Sequence, residues 1–430
     1  MKIQKSESPR SRDDEATLTS GVHPSPRLLT HDGWVLFGTR IVRLFAYGLL
    51  SVVLAFYLSA VGLSDQSIGV LLTLTLVGDA AISLLITRVA DRVGRRRMLL
   101  LGAGLMILAG GVFAVTSNPL LLTLAAFIGT LSPSGNEVGP FLAIEQASLA
   151  HITPGQRRTH IFAWYNLVGS FATALGALSS GLLTAGLQRI GSSPLGSYRI
   201  LFALYAGLGV LLALLFTALS AQMEVERTAI TPPTSFSGLH RSRTVVRGLS
   251  VLFMIDSFAG GLVVQSLLAY WLHLRFGTEA AVLGRLFFGV HLLAGLSALV
   301  AARIATRFGL INTMVFTHLP ANIFLLLTPL MPTFPLAMTM VLLRYCVAQM
   351  DVPTRHSYLM AIVAPDERSA AAGVTTVART AASAIAPTLT GALLGASFLS
   401  TPFFIAGGLK IVYDLALYVR FRNIRPPEEV

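Results

Sequence analysis

Apolar residues run along this chain in blocks of about twenty, divided by short polar, glycine-bearing or proline-bearing stretches. A block of that length coiled as a helix crosses a hydrocarbon core of roughly 30 Å. Backbone groups in hydrocarbon must bond within their own segment, so each block predicts a membrane-spanning helix. The first six spans are Trp34 to Leu58, Ser67 to Thr87, Met98 to Val115, Leu120 to Ala147, Ile161 to Leu187 and Arg199 to Ala221. The last six are Arg247 to Trp271, Ala280 to Ala302, Ile311 to Leu330, Pro335 to Ile362, Ser369 to Leu394 and Thr401 to Arg420. The pattern is that of an all-α membrane protein with twelve transmembrane helices. It divides into a polar tail (1–32), a first bundle (33–221), a hydrophilic linker with Pro232 and Pro233 (222–246), a second bundle (247–421) and a short tail (422–430).

Composition agrees with the pattern: 54% of residues are apolar and 12% charged, where soluble domains carry roughly 25% charged residues. A formal charge of +12 invites a nucleic-acid reading, but the arginines cluster between apolar blocks, which is how topology is encoded in membrane proteins. Arg92, Arg95, Arg96 and Arg97 follow span two, Arg157 and Arg158 follow span four, and Arg303 and Arg307 follow span eight. The opposite connections hold scattered Arg189, Arg199 and Arg275, so both chain ends are expected in the cytoplasm. The first thirty residues carry no apolar leader and read as a disordered tail. The richness in Ala, Leu, Gly and Arg suits a GC-rich bacterium and hence a bacterial inner membrane. The lone cysteine, Cys346, excludes an intrachain disulfide and reads as a small buried filler.

The two halves repeat. Ile68-Gly69 matches Leu283-Gly284, and Arg88-Val89-Ala90-Asp91-Arg92-Val93-Gly94 matches Arg303-Ile304-Ala305-Thr306-Arg307-Phe308-Gly309. Ile152-Thr153-Pro154 with Arg157 likewise matches Val363-Ala364-Pro365 with Arg368. The stretch Ala90 to Arg97 resembles the signature loop of the major facilitator superfamily, and its echo after span eight extends the resemblance over nearly the whole chain. The resemblance implies two pseudo-symmetric six-helix bundles around a central cavity lined by spans one, four, seven and ten and opened alternately to each side. It further implies that Asp91 and Arg92 latch the halves while the cavity faces outward, that Arg95 and Arg96 anchor the loop, and that Gly94, Arg307 and Gly309 complete the device. Thr87 stands where the family generally has Gly for close approach of spans two and eleven. Span five lacks the Gly-Pro pair that resembles the family's antiporter signature, so export is not diagnosed.

Ionisable side chains at membrane depth cost on the order of 3 kcal/mol each, so they persist where they pair or meet water. Arg40 and Arg43 in span one, Glu137 and Glu145 in span four, Asp256 in span seven, and Arg344, Asp351 and Arg355 in span ten fall in the four spans the resemblance assigns to the cavity. They balance four against four. Helical spacing places Arg344, Asp351 and Arg355 on one stripe, where Asp351 and Arg355 either pair one turn apart or meet substrate or proton. Ser132 to Pro140 sets two prolines and two glycines around Glu137, which predicts a broken helix. Glu137 there either serves a substrate or proton site or is satisfied by Arg40 or Arg43. Asp79 in span two either carries a proton or pairs across the bundle; Arg379 and His291 read as structural. Tyr47, Phe56 and Trp271 are cavity or interface candidates.

No nucleotide-binding loop, zinc-protease helix or serine-hydrolase elbow occurs in the sequence, which leaves an enzyme without support. The expectation is a secondary or facilitative carrier of a small solute by alternating access, monomeric, without cofactor or metal, drawing where coupled on the proton gradient, with proton-coupled efflux as one form. The competing reading is a membrane receptor or assembly partner that uses the same fold without transport.

Overall fold

The computed structural model describes residues 29–137, 139–153, 155–220, 224, 239–364 and 367–424, apart from the side chains of residues 91, 155–159, 302 and 369. Both expected tails beyond these bounds and most of the expected linker lie outside the described residues, as do Val138, Pro154 and Pro365. Helices make up the rest: α1 (His31–Ala60), α2 (Asp65–Val93), α3 (Arg95–Val115), α4 (Pro119–Ile128), α5 (Phe141–Ile152), α6 (Gly155–Arg189) and α7 (Pro194–Thr217), then α8 (Arg243–Leu262), α9 (Gln265–Phe276), α10 (Ala280–Phe308), α11 (Leu310–Leu327), α12 (Phe334–Val347), α13 (Asp351–Ile362), α14 (Arg368–Gly395) and α15 (Thr401–Phe421). No strand occurs among the described residues.

Polar residues in the punctuation start these helices. Thr30 accepts the Gly33 N–H at 3.2 Å, Asn118 accepts from Leu120 and Leu121 ahead of Pro119, and Ser193 accepts from Gly196 ahead of Pro194. Each cap satisfies a donor that the first turn leaves open, and proline fits there because its missing N–H is not needed.

Among the described residues, nine helical segments are continuous and apolar enough to cross a membrane. Spans seven and ten are expected as single helices and span four as a broken one, and each of the three is a pair of helices. Span four breaks between Ile128 and Phe141, where Gly135 (φ +69°) and Gly139 (φ +81°) take left-handed conformations that a side chain would strain. Span seven breaks at Val263 and Val264, after Leu262 and one residue beyond Gly260-Gly261. Span ten breaks after Val347, because Pro353 cannot donate to the carbonyl of Gln349; the helix restarts at Asp351, with Pro353 in its first turn. Large apolar side chains cover the outside of the bundle, among them Val115 (78% exposed), Leu214 (61%) and Val419 (71%). In water such a surface would aggregate; it matches lipid.

The packing repeats between halves. α1 packs on α6 as α8 packs on α14, and α3 packs on α7 as α11 packs on α15. Across the halves, α2 packs on α14 and α6 on α10, exchanging equivalent elements. The connections between α2 and α3 and between α10 and α11 turn on Gly94 (φ +114°) and Gly309 (φ +83°), at matching places in the repeat.

One end of the bundle, here the near side, gathers the start of α1, the end of α15 and the α2–α3 connection. There Asp32 accepts from the Ser220 N–H (3.0 Å), and the Tyr358 hydroxyl donates to the Ile424 carbonyl (3.1 Å). At the far side the Tyr57 hydroxyl donates to the Thr116 carbonyl and Arg199 donates to Ser117.

Candidate functional site

Close helix crossings seal the halves together on the far side. A Cβ placed on Gly69 would lie 2.4 Å from the Pro387 carbonyl, and one on Gly391 would lie 2.5 Å from the Asp65 carbonyl, so α2 and α14 meet backbone to backbone. Gly181 and Gly284 do the same for α6 and α10. Polar contacts span the same layer. The break of span seven offers Ser266, which donates to the Pro133 carbonyl from its N–H (3.0 Å) and its hydroxyl (2.7 Å), and Gln265, which donates to Ser51 (2.8 Å) and meets His291 (2.8 Å). Thr73 bonds Thr388 (2.8 Å), and Tyr270 donates to Asp65 (2.7 Å). Outside this layer a vestibule of about 320 Å³ is lined by Phe56, Tyr198, Tyr270 and His273.

Inside the layer lies a cavity of about 1360 Å³ with walls from both halves. Its lining comes from the near-side parts of the helices: Val77 to Leu84 of α2, Glu137 to Gln146 around the start of α5, Ala163 to Ser170 of α6, Gly295 to Leu299 of α10, Gln349 to His356 at the break of span ten, and Thr376 to Ile385 of α14. The cavity therefore lies on the near side of the far-side seal. The hydrophobic core has the same asymmetry. One contiguous core joins the first half to the far-side part of the second, while Val246, Phe253, Met314, Tyr358 and Leu417 form a separate near-side core.

The predicted charges fall into two buried clusters. In the first half, Glu137 binds Arg40 (2.8 Å) and Arg43 (2.7 Å), and Arg43 also holds Glu145 through two bonds of 2.6 and 2.7 Å. Thr39 and Tyr165 donate to Glu145, Asn166 accepts from Arg40, and the two guanidiniums lie over the rings of Tyr165 and Phe141. Gly169 makes room for this: a Cβ there would sit 2.7 Å from the Arg40 Nε. Glu137 is thus satisfied by both arginines, while its 13% exposed side chain also reaches the cavity wall. In the second half, Asp256 binds Lys410 (2.5 Å) and Arg355 (3.1 Å), Arg355 binds Asp351 (3.0 Å), and His318 bridges Asp414 (2.9 Å) toward Asp256 (3.8 Å). Asn322 completes the Asp414 carboxylate at 2.8 Å.

The stripe expected on span ten is only half realised. Asp351 and Arg355 pair one turn apart, but Arg344 belongs to the helix before the break, lies over Tyr345, and has no ion pair among the described residues. Asp79 lines the cavity without an ion pair among the described residues, its carboxylate accepting the Gly139 N–H. Arg379, read from sequence as structural, also lines the cavity. Trp271 is buried against Phe403, Tyr47 is fully buried, and Phe56 lines the far-side vestibule, so none of these aromatics lines the central cavity.

Sequence reasoning missed Lys410, Asp414 and His318, although each interrupts an apolar block and so carried the same signal as Asp256. It also missed His356, Gln146 and Gln349 on the cavity wall. Two near-side carboxylates escaped it as well. Glu224 accepts the N–H groups of Arg95 (2.7 Å) and Arg96 (3.1 Å) at the start of α3. Glu367, 1% exposed, accepts those of His240, Arg241 (2.7 Å) and Ser242 (2.9 Å) at the start of α8. The backbone donors of His240, then Arg241 and Ser242, hold the Glu367 carboxyl down at about 2. Of the expected latch, Arg92 and Arg307 are exposed and make no ion pair among the described residues; the side chain of Asp91 lies outside them. Thr87 is exposed at the open end of α2, and the close approach of α2 to α14 comes instead at Gly69 and Gly391.

The model of the Major Facilitator Superfamily matches residues 36–350. The chain belongs to the Major Facilitator Superfamily. An uncharacterized membrane protein of Saccharomyces cerevisiae, YJR124C, is 31% identical over 91% of this chain and 94% of its own length. Among solved structures, the nucleoside transporter NupG superposes with a TM-score of 0.73 at 15% identity, covering 91% of this chain and all of that one. The D-xylose–proton symporter superposes at 0.69 with 18% identity over 90% of this chain and 97% of its own. A bacterial homologue of the human lysosomal transporter Spinster, in an inward-facing and unoccupied conformation, superposes at 0.66 with 14% identity over 92% of this chain and 96% of its own. These likenesses show the fold, and membership shows a multi-pass membrane transporter rather than an enzyme.

Proposed function

We propose that the chain is a monomeric secondary carrier that moves a small polar solute by alternating access, with twelve spans, both termini in the cytoplasm and the near side facing inward. The observation that carries this reading is the cavity of about 1360 Å³ between the halves, which lies on the near side of the Gly69–Gly391 and Gly181–Gly284 crossings. Crossings built on backbone contact have two discrete arrangements, packed and parted, and such bistability is what rocking bundles require. The arginines of the near-side connections support the orientation. The exposed Arg92 and Arg307 suit a latch that is parted while the cavity opens on their side.

We further propose the proton as the coupling ion. Asp256 and Asp351 pair with Arg355 and Lys410 in one buried cluster that reaches Asp414 through His318, with the Tyr413 hydroxyl and Arg379 beside it. His318 sits between two of those carboxylates, so a proton on its imidazole changes the balance of the whole cluster. The test is solute flux into proteoliposomes under an imposed pH gradient. Accumulation that follows the gradient, and that His318→Gln abolishes while leaving solute exchange, supports the coupling. Flux indifferent to both defeats it.

A further inference from the structure

Two cavity charges of opposite sign remain once the clusters are accounted for. Glu137 is held by Arg40 and Arg43, which leaves Asp79 on the wall of the first half and Arg379 on the wall of the second. Among the described residues neither enters an ion pair; Asp79 accepts the Gly139 N–H, and the Arg379 Nε donates to Ser257 at 3.1 Å.

Their depths match. α2 and α14 cross at Gly69 and Gly391, and the residues of both helices that line the cavity lie on the near side of that crossing. Asp79 stands ten residues along α2 from the crossing and Arg379 twelve residues along α14, or about 15 and 18 Å at 1.5 Å per residue. The two charges therefore line one cavity from opposite halves. His356 from α13 lines the cavity from the same half as Arg379, and Val77, Leu84, Leu142, Leu167 and Val377 supply apolar wall.

From this geometry we infer that the solute is a zwitterion of the α-amino-acid type, its ammonium held by Asp79, its carboxylate by Arg379, and its side chain against the apolar wall. An ion of one sign would neutralise one wall and leave the other charge uncompensated when the near side closes and water leaves. A zwitterion neutralises both and bridges α2 to α14, the helices that must approach for that closure. Asp79 also reports to the break of span four, since it holds the backbone of Gly139 two residues from Glu137.

This inference rests on the carrier reading above, and the experiment separates the two. Full-length protein in proteoliposomes is offered the α-amino acids, each beside its amide, which keeps only the ammonium, and its N-acetyl derivative, which keeps only the carboxylate. Binding and counterflow are measured for all three sets. At least one amino acid is expected to bind tenfold or more tighter than either single-charge analogue. Asp79→Asn is expected to erase the preference over the N-acetyl acid, and Arg379→Gln the preference over the amide, with Arg379→Lys retaining part of it as a purely structural arginine would not. Uncharged sugars or nucleosides carried while every amino acid is ignored would overturn the zwitterion and leave the carrier standing. A preference that survives both variants would overturn the two assigned poles. No flux of any solute would overturn the carrier reading itself.

Discussion

Adding one methyl group at Gly391 tests whether the far-side crossing is a closed gate. In the Gly391→Ala variant the new Cβ would lie 2.5 Å from the Asp65 carbonyl and 2.8 Å from the Gly69 Cα. Ordinary contact begins near 3.4 Å, so α2 and α14 must part by about 0.9 Å, and both atoms met belong to backbone that has no rotamer to yield. Overpacking of this kind costs about 1–3 kcal/mol. The strain falls on the arrangement in which the helices touch and is relieved where they separate, so it shifts the balance toward far-side opening by roughly 5- to 150-fold. In a Cys346→Ser background, which removes the lone native thiol, a reporter cysteine replaces Thr73, whose hydroxyl meets Thr388 across this seam. Its alkylation rate should rise by that factor in Gly391→Ala, while a cysteine at Leu84 on the near-side cavity wall should react more slowly. Rates within twofold of the parent at both positions, in protein that remains monodisperse, would refute the gate.

The buried ion clusters and the near-side caps make their own predictions. Arg43→Met strips two carboxylates of their shared cation, and breaking a buried pair from one side costs about 3–5 kcal/mol. A fall in Tm is therefore expected for the single variant, with partial recovery in Arg43→Met/Glu145→Met; a silent single variant would show that the cluster is not held by charge. Glu367 has its carboxyl depressed to about 2, from an ordinary value of 4.5, so its stabilisation is complete above 4.5 and fades as pH falls toward 2. The Tm gap between the parent and Glu367→Gln should accordingly be constant near neutrality and shrink below pH 4.5, and a gap unchanged down to pH 3 would count against the assigned bonds.

The spans were legible because hydrocarbon imposes one rule on every segment, and the repeat of Gly94 at Gly309 was legible because both positions need a backbone that side chains disfavour. The break of span four could be read from Pro133, Gly135, Gly139 and Pro140. Those of spans seven and ten could not. Gly260-Gly261 is as common in close packing as in a break, and the effect of Pro353 depends on whether the helix before it has a reason to stop. The pairing of Asp351 with Arg355 follows from helical spacing, whereas that of Asp256 with Lys410 joins residues 154 positions apart and needs the fold. Lys410 and Asp414 on α15 and His318 on α11 lie outside the four spans that the family resemblance assigns to the cavity, so nothing in their spacing joins them to Asp256. The cavity itself was illegible. Which face of α2 or α14 meets the cavity depends on how deeply two glycines let the helices cross, and so Arg379 passed for structural while Arg344 passed for a site residue.

Paired distance measurements bear most directly on the claim that the halves rock about the cavity. Spin labels at Leu84 and Val377 sit on the two near-side walls, and labels at Ala60 and Ala281 sit on the two sides of the far-side vestibule. Alternating access predicts that, in Gly391→Ala and on adding a transported solute, the near-side distance shortens while the far-side distance lengthens, the two populations changing in antiphase. Distances that stay fixed in both conditions, or that lengthen together, would contradict it.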